Sequence, residues 1–339
     1  MPRMNNQTLT IAQEFEAKNR AETKNEKFMR WAPSLVLIGM ILFFIATCQK
    51  NFLSLDNLST ILNQMAIPLL IAIGLTFVIM LGCIDLSIDG VVGLAASLLS
   101  IFVLNDKNTN NMGILGVLLP IAVCMIIGLL IGVSYVKLKI PTFMVSFCFM
   151  FIAQGIAMLS YGGIPATIKD PVLVAIPKQS FLGLPVITWI SLAVLALAYF
   201  IQEYTALGRY IYAIGTSERV PKMAGVNVDR VKIIVFVFAT FCSGVAGVLG
   251  GIRLGQGQVS VGTGMMFPAQ AAVVVGGTAL TGGKGGVINT LVGVAIMTVL
   301  DNGLLLMGVN PDIENAIQGV IILLAVVLTV KHSDKEICK

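Results

Sequence analysis

Long apolar runs separated by short polar segments organise this chain from Trp31 onward. Residues 65–84, 112–136 and 233–252 each run without one charged side chain. Uncharged runs of about 18 or more residues read as bilayer spans, because about 20 helical residues match the hydrocarbon thickness. A helix of a soluble core would instead show a polar stripe at a period of 3.6. The pattern predicts an all-α, polytopic transmembrane helical bundle of about ten spans. They are 31–48, 65–84, 90–104, 112–136, 140–161, 181–201, 233–252, 264–281, 286–308 and 314–330. Asp89 stands at the edge of the third. Gly276 and Gly277 break the eighth, which therefore fits a re-entrant segment or half-helix as well as a full span.

Charge orients the spans. With the N-terminus in the cytoplasm, the inward segments are the N-terminal tail, the turns near 85–89, 137–139 and 284, the loop 202–232 and the C-terminal tail. These hold 17 of the 22 Lys and Arg; Lys50, Lys107, Lys169, Lys178 and Arg253 are the five outside. Lys and Arg resist translocation, so both termini are expected in the cytoplasm. The organisation is a polar tail over 1–30, a transmembrane domain over 31–330 with a cytoplasmic loop at about 203–232, and a tail over 331–339. The first 30 residues are too polar for a cleavable leader, so the run from Trp31 is expected to stay as a span. The outer loop between the fifth and sixth spans carries Gly162, Gly163, Pro165, Pro171 and Pro177 and is expected to be irregular and turn-rich.

Composition agrees. Hydrophobic residues make up 57% of the 339 and charged ones 12%, about half the share usual in soluble domains. Loop asymmetry accounts for the net charge of +5, which needs no nucleic-acid partner. The six cysteines form no C-x-x-C pair and read as small apolar residues of packed helices. The single histidine, His332, lies in the polar tail, so no span offers a histidine metal site or proton relay.

Three segments carry candidate chemistry. The first is the cytoplasmic loop Ala206 to Arg230. Ser217 suits an N-cap, Pro221 the first helical turn and Gly225 a left-handed C′ position, which predicts a helix of about two turns over Glu218–Ala224. Val220, Met223 and Ala224 then share one face. Such a ridge serves a docking helix or an ordinary connector lying on the membrane. The second is Gly276 to Gly286. It fails as a nucleotide loop, because Gly285 follows Lys284 where Ser or Thr is required and Thr278 occupies the first glycine position. Tight turning and close helix approach explain these glycines better. The third is Gly82 to Gly90, with Asp85, Ser87 and Asp89. Carboxylates beside apolar spans mark a pathway, a partner contact or a helix cap, and Asp85 or Ser87 is placed to cap the third span. Asn63, Gln64, Gln154, Gln270, Asn289, Asp301 and Asn302 are further polar groups in or near spans. They either join helices by hydrogen bonds or line and gate a polar path.

Together these stretches resemble the ribose-type sugar permease family of bacterial ABC importers. The matching segments are Gly82 to Ser87, Leu207 to Gly215 with Met223 to Val226, Ala272 to Gly286, and Asp301 to Gly308. The resemblance covers most of residues 55–330. It implies a membrane-spanning subunit of the bacterial inner membrane, paired as a homo- or heterodimer. It also implies a cytosolic ATP-binding subunit that holds ATP and magnesium, and an external solute-binding protein. The permease itself binds no cofactor or metal and is not an enzyme. The helix holding Ser217, Glu218, Arg219, Val220, Met223, Ala224 and Gly225 becomes the coupling helix that rests on the ATPase. Two positions depart from the family pattern: Cys83 stands where glycine is usual, and Ile88-Asp89 where a Val-Gly-like pair is usual. Relatives carry ribose, other pentoses and hexoses, a furanosyl signalling molecule or nucleosides. The rival from another class is an ion-coupled secondary transporter of a small polar solute, with Asp85, Asp89 and Asp301 as coupling carboxylates.

Overall fold

The computed structural model describes residues 31–48, 51–310, 312–313, 316–321 and 323. The expected polar tails, and most of the expected last span 314–330, lie outside the described residues. Among the described residues the α-helices with defined bounds follow in order: α1 Trp31–Cys48, α2 Leu55–Met80, α3 Ile88–Phe102, α4 Ile114–Leu138, α5 Thr142–Tyr161, α6 Pro171–Ala175, α7 Val186–Tyr204, α8 Ala206–Thr216, α9 Arg219–Met223, α10 Val228–Leu254, α11 Met266–Val275 and α12 Val287–Leu306.

Among the described residues, seven of these helices are long and apolar enough to cross a membrane: α1, α2, α4, α5, α7, α10 and α12. Neither the third nor the eighth expected span is one continuous membrane-length helix; for the eighth this is the half-helix alternative that Gly276 and Gly277 suggest. At 1.5 Å per residue, α3 with 15 residues covers about 22 Å and α11 with ten about 15 Å, against a hydrocarbon core of about 30 Å. Hydropathy registers an apolar run whether or not the helix inside it is continuous, which is why the third reads as a full span from the sequence.

Local chemistry sets the ends. Ser54 Oγ accepts the Asn57 N–H at 3.2 Å and Asp56 occupies the first turn, so α2 starts ten residues before its uncharged run. Lys139, in the left-handed region, and Pro141 separate α4 from α5. Thr205 ends α7 and caps α8 by accepting from Gly208 N–H. Asn227 caps α10, and Gly255, at φ +71°, ends it. The sixth span starts at Val186 rather than 181, because Ser180–Phe181 and Leu184–Pro185 pair as an antiparallel hairpin. The outer loop also pairs Ala166–Thr167 with Gln256–Gly257.

α10 forms the centre of the bundle, packed by α4, α3 and α2. α5 covers α3, and α11 and α12 pack on each other and on α2. Within α3, residues Gly90 to Ser97 are all buried. By contrast α1, α4 and α5 expose Trp31, Phe43, Ile126, Phe143, Phe147 and Phe151, the apolar surface of a multi-pass membrane protein. α1 reaches the bundle through a separate cluster of Phe44, Phe52, Ile61, Val299, Leu300 and Leu304.

Candidate functional site

Two breaks in the helical pattern meet. After α2, Gly82 turns in the left-handed region and residues 83–87 run without regular secondary structure along α5. Ile84 N–H donates to Thr142 Oγ1 at 3.3 Å, Leu86 N–H donates to Ser146 Oγ at 2.9 Å, and Gly90 lies against the Met150 carbonyl. From Thr142 to Met150 the path descends about 12 Å beside α5. The second break follows α10. Residues 255–265 return along α3, where Gly262 abuts the Asp89 carbonyl and the Gly93 amide, and α11 then starts. A Cβ at Gly90 or Gly262 would overlap the opposing carbonyl oxygen, so these glycines permit the close approach.

Asp89 sits at the junction. Its Oδ1 accepts the Met266 N–H at 2.8 Å and its Oδ2 the Gly264 N–H at 2.9 Å. The carboxylate therefore lies in the first turn of α3 and simultaneously caps α11, meeting the positive ends of two helices. Asp85 is buried and plays another part. Its Oδ1 accepts the Ser87 N–H at 2.8 Å and the Ser87 hydroxyl at 2.7 Å, forming a turn that leads into α3. The expected cap by Asp85 or Ser87 is thus corrected: Ser87 is the N-cap residue of α3, but its side chain makes no capping bond because it donates to Asp85. Gln270 on α11 donates to the Asp85 carbonyl at 3.0 Å, which fastens this turn to the second break.

The structure thus gathers Asp85, Ser87, Asp89 and Gln270 and separates the other polar candidates. Asn302 forms a reciprocal amide pair with Asn57, at 3.1 and 3.0 Å, between α12 and the start of α2. Asp301 accepts from Gln318 at 2.7 Å. Asn63 offers its backbone carbonyl to Arg253 at 3.3 Å, while its side-chain oxygen is buried without a partner. Asn289, half-buried in the first turn of α12, presents its carbonyl to Gly276. Gln64 and Gln154 are half-buried on α2 and α5.

The second assembly surrounds α8 and α9. α9 covers Arg219–Met223, shorter than the expected Glu218–Ala224. Ser217 does not cap it. Ser217 instead closes α8, donating its N–H to the Ala213 carbonyl at 3.0 Å, and Glu218 is the N-cap residue of α9 without a side-chain bond. Gly225 has φ +80°, as its expected C′ position requires. Pro221 is buried, whereas Val220 is 67% and Met223 88% exposed; Arg219 and Ala224 are exposed too.

The glycine-rich segment forms the seat of α8. Gly283 N–H donates to the Met80 carbonyl at 2.9 Å, and Gly215 packs where any Cβ would overlap Met80 O. Tyr212 Oη donates to the Gly285 carbonyl at 2.8 Å. Burial, and then the nearby Glu203 carboxylate, push the Tyr212 phenol up, so it remains a protonated donor. Gln202, buried at the end of α7, caps α12 by accepting the Val287 N–H at 2.8 Å. Gln202, Tyr212 and Lys232 all escape a reading by sequence, since a lone polar residue at a span edge resembles an ordinary interfacial one. Among the described residues, no group of three His, Cys, Asp or Glu is placed to hold a metal ion.

Residues 57–326 match the family described as branched-chain amino acid transport system / permease component. The ribose import permease protein RbsC of Haemophilus influenzae is 33% identical over 244 residues, covering 70% of this chain and 73% of that protein. RbsC of Escherichia coli K12 is 33% identical over 235 residues, 68% and 72% of the two chains. The galactofuranose transporter permease protein YtfT of the same strain is 32% identical over 195 residues, 56% and 54% of the two chains. No solved structure matches. Members of this family are transport subunits rather than enzymes. This chain belongs to that family of membrane permease components.

Proposed function

We propose that this chain is the membrane-spanning subunit of an ATP-driven importer in the bacterial inner membrane, and that its solute is a small sugar or sugar-like molecule. A cytosolic ATPase, holding ATP and magnesium, docks on α9. A second permease subunit, identical or related, completes the path, and an external protein delivers the solute. The solute class follows the ribose and galactofuranose permeases that the chain resembles. The α9 helix carries the reading: it presents Val220 and Met223 outward on an element tied by Gly215 and Tyr212 to the end of α2 and the seat of α12. An exposed apolar ridge on a braced helix suits a partner that must push.

The polar candidates near the breaks fasten backbone segments to one another. Both oxygens of Asp89 are engaged by backbone donors, an arrangement that suits a fixed cap between two helices better than a group that exchanges an ion in each cycle. Purification of the full chain in mild detergent tests the assignment. A cytosolic ATPase should accompany it, and Met223→Arg should lose that ATPase while inserting normally. A wild-type chain that takes up labelled ribose or galactose in vesicles without any ATPase would overturn the reading.

A further inference from the structure

Lys232 is a lysine buried near the start of α10, with its side chain 9% exposed. It follows the Asn227 cap by about one turn and shares the inward face with Val231, Val235 and Phe236. Its ammonium meets Glu218 Oε1 at 2.6 Å and stands 4.8 Å from the centre of the Tyr135 ring. Tyr135, near the end of α4, is itself held edge-on by Phe236. The Cys83 thiol, buried in the irregular segment after α2, lies against Tyr135 and Thr142. Thr142 in turn accepts the Ile84 N–H. One cation thus joins the residue that opens α9 to the last turns of α4 and to the segment leading into the broken α3. α9 otherwise leans chiefly on α8, and of its own residues only Pro221 is buried.

We propose that Lys232 is a positioning residue for transport: it clamps the start of α9, through Glu218, to Tyr135 and the Cys83 segment, so that a displacement of α9 is passed into the α2–α3 break instead of being taken up by the loop. The proposal rests on α9 being the ATPase-docking helix. The chemistry of the clamp is uneven. Glu218 is half exposed and can return to water if Lys232 is removed, whereas Lys232 without Glu218 is a buried cation with one aromatic face. Lys232→Met is therefore the clean perturbation: it fills the same space, leaves the exposed ridge of α9 untouched and cuts only the link.

The test uses Cys83 as the reporter in the full chain, with the other five cysteines replaced by alanine, bound to its ATPase in nanodiscs. A buried thiol reacts with a maleimide only as its surroundings open. Trapping the ATPase with ATP and vanadate should change the Cys83 labelling rate by about tenfold, the usual span of coupling between sites. Lys232→Met should keep the ATPase and its basal turnover yet lose that nucleotide-dependent change, and Lys232→Arg should restore it. Wild-type Cys83 that ignores the trapped state while ATPase is bound and active would overturn the clamp, as would Lys232→Met responding like wild type. Failure of the docking reading shows separately, as Met223→Arg retaining the ATPase.

Discussion

At the scale of single residues, two aspartates four positions apart differ in how they use their oxygens. Asp85 accepts both Ser87 bonds through one oxygen, so an amide can replace it with its single carbonyl. Asp89 uses both oxygens on separate backbone N–H groups, and an amide nitrogen there would face a donor. We therefore expect Asp85→Asn to fold and transport close to wild type. Asp89→Asn should lose about 1–3 kcal/mol, the usual cost of a missing charged hydrogen bond. Thermal unfolding of the two variants in detergent checks this; equal midpoints would contradict the double cap. The Asn57–Asn302 pair gives a second contrast. Asn302→Leu leaves the Asn57 amide without its partner beside Phe52, and should lower the unfolding midpoint more than Asn302→Ser, which keeps a polar group there. The sequence flags Asp85, Asp89 and Asn302 as polar groups beside apolar runs. It is silent about their partners, because these lie up to 245 positions away.

At the scale of helices, α9 shows what local signals reveal and what they hide. Gly225 was legible because a positive φ leaves a residue-type signature. Ser217 misled because α8 ends only two residues before α9 begins, so its backbone serves the earlier helix. The Ala224 N–H donates to the Val220 carbonyl at 3.2 Å. Ala224→Pro removes that donor and crowds Met223, costing about 3 kcal/mol locally in a helix whose packing rests on one buried side chain. Membrane insertion should persist and ATPase association should be lost; normal association measured by co-purification would argue against docking through α9. Gly215→Val tests the seat behind it. The added branch would collide with Met80 O and Gly283, so α8 must lift, and transport should fall even where the ATPase still binds. Hydropathy marked the seven long apolar helices, and the Gly276-Gly277 break already allowed α11 to be a half-helix; α3 alone read as a full span, because apolar residues in a buried half-helix and in a lipid-facing one look alike.

At the scale of the molecule, the charge pattern predicts a topology that a fusion experiment checks. A reporter active only in the cytoplasm should work at Lys339 and fail at Lys178, in keeping with 17 of 22 basic residues on one side. The opposite result would invert the bundle and move α9 away from any cytosolic partner. Energy coupling is the second whole-molecule test. Uptake reconstituted with the ATPase and binding protein should survive an ionophore that collapses proton and sodium gradients, and should stop without ATP. Loss of uptake with the ionophore while ATP is plentiful would revive Asp85, Asp89 and Asp301 as coupling groups.

The shortness of α3 and α11 also bears on how the chain is made. Neither helix is long enough to hold a place across the bilayer alone, and the irregular segments beside them expose backbone groups that lipid cannot satisfy. Each must therefore enter the membrane as cargo of its neighbours: α3 in the shelter of α10, α5 and α4, α11 in that of α12 and α2. The residues that close this shelter, such as Gly90, Gly262 and Asp89, are then expected to bear on biogenesis. Enlarging Gly90 should show first as a chain cleared by membrane proteases soon after synthesis, before any assay of uptake can be made.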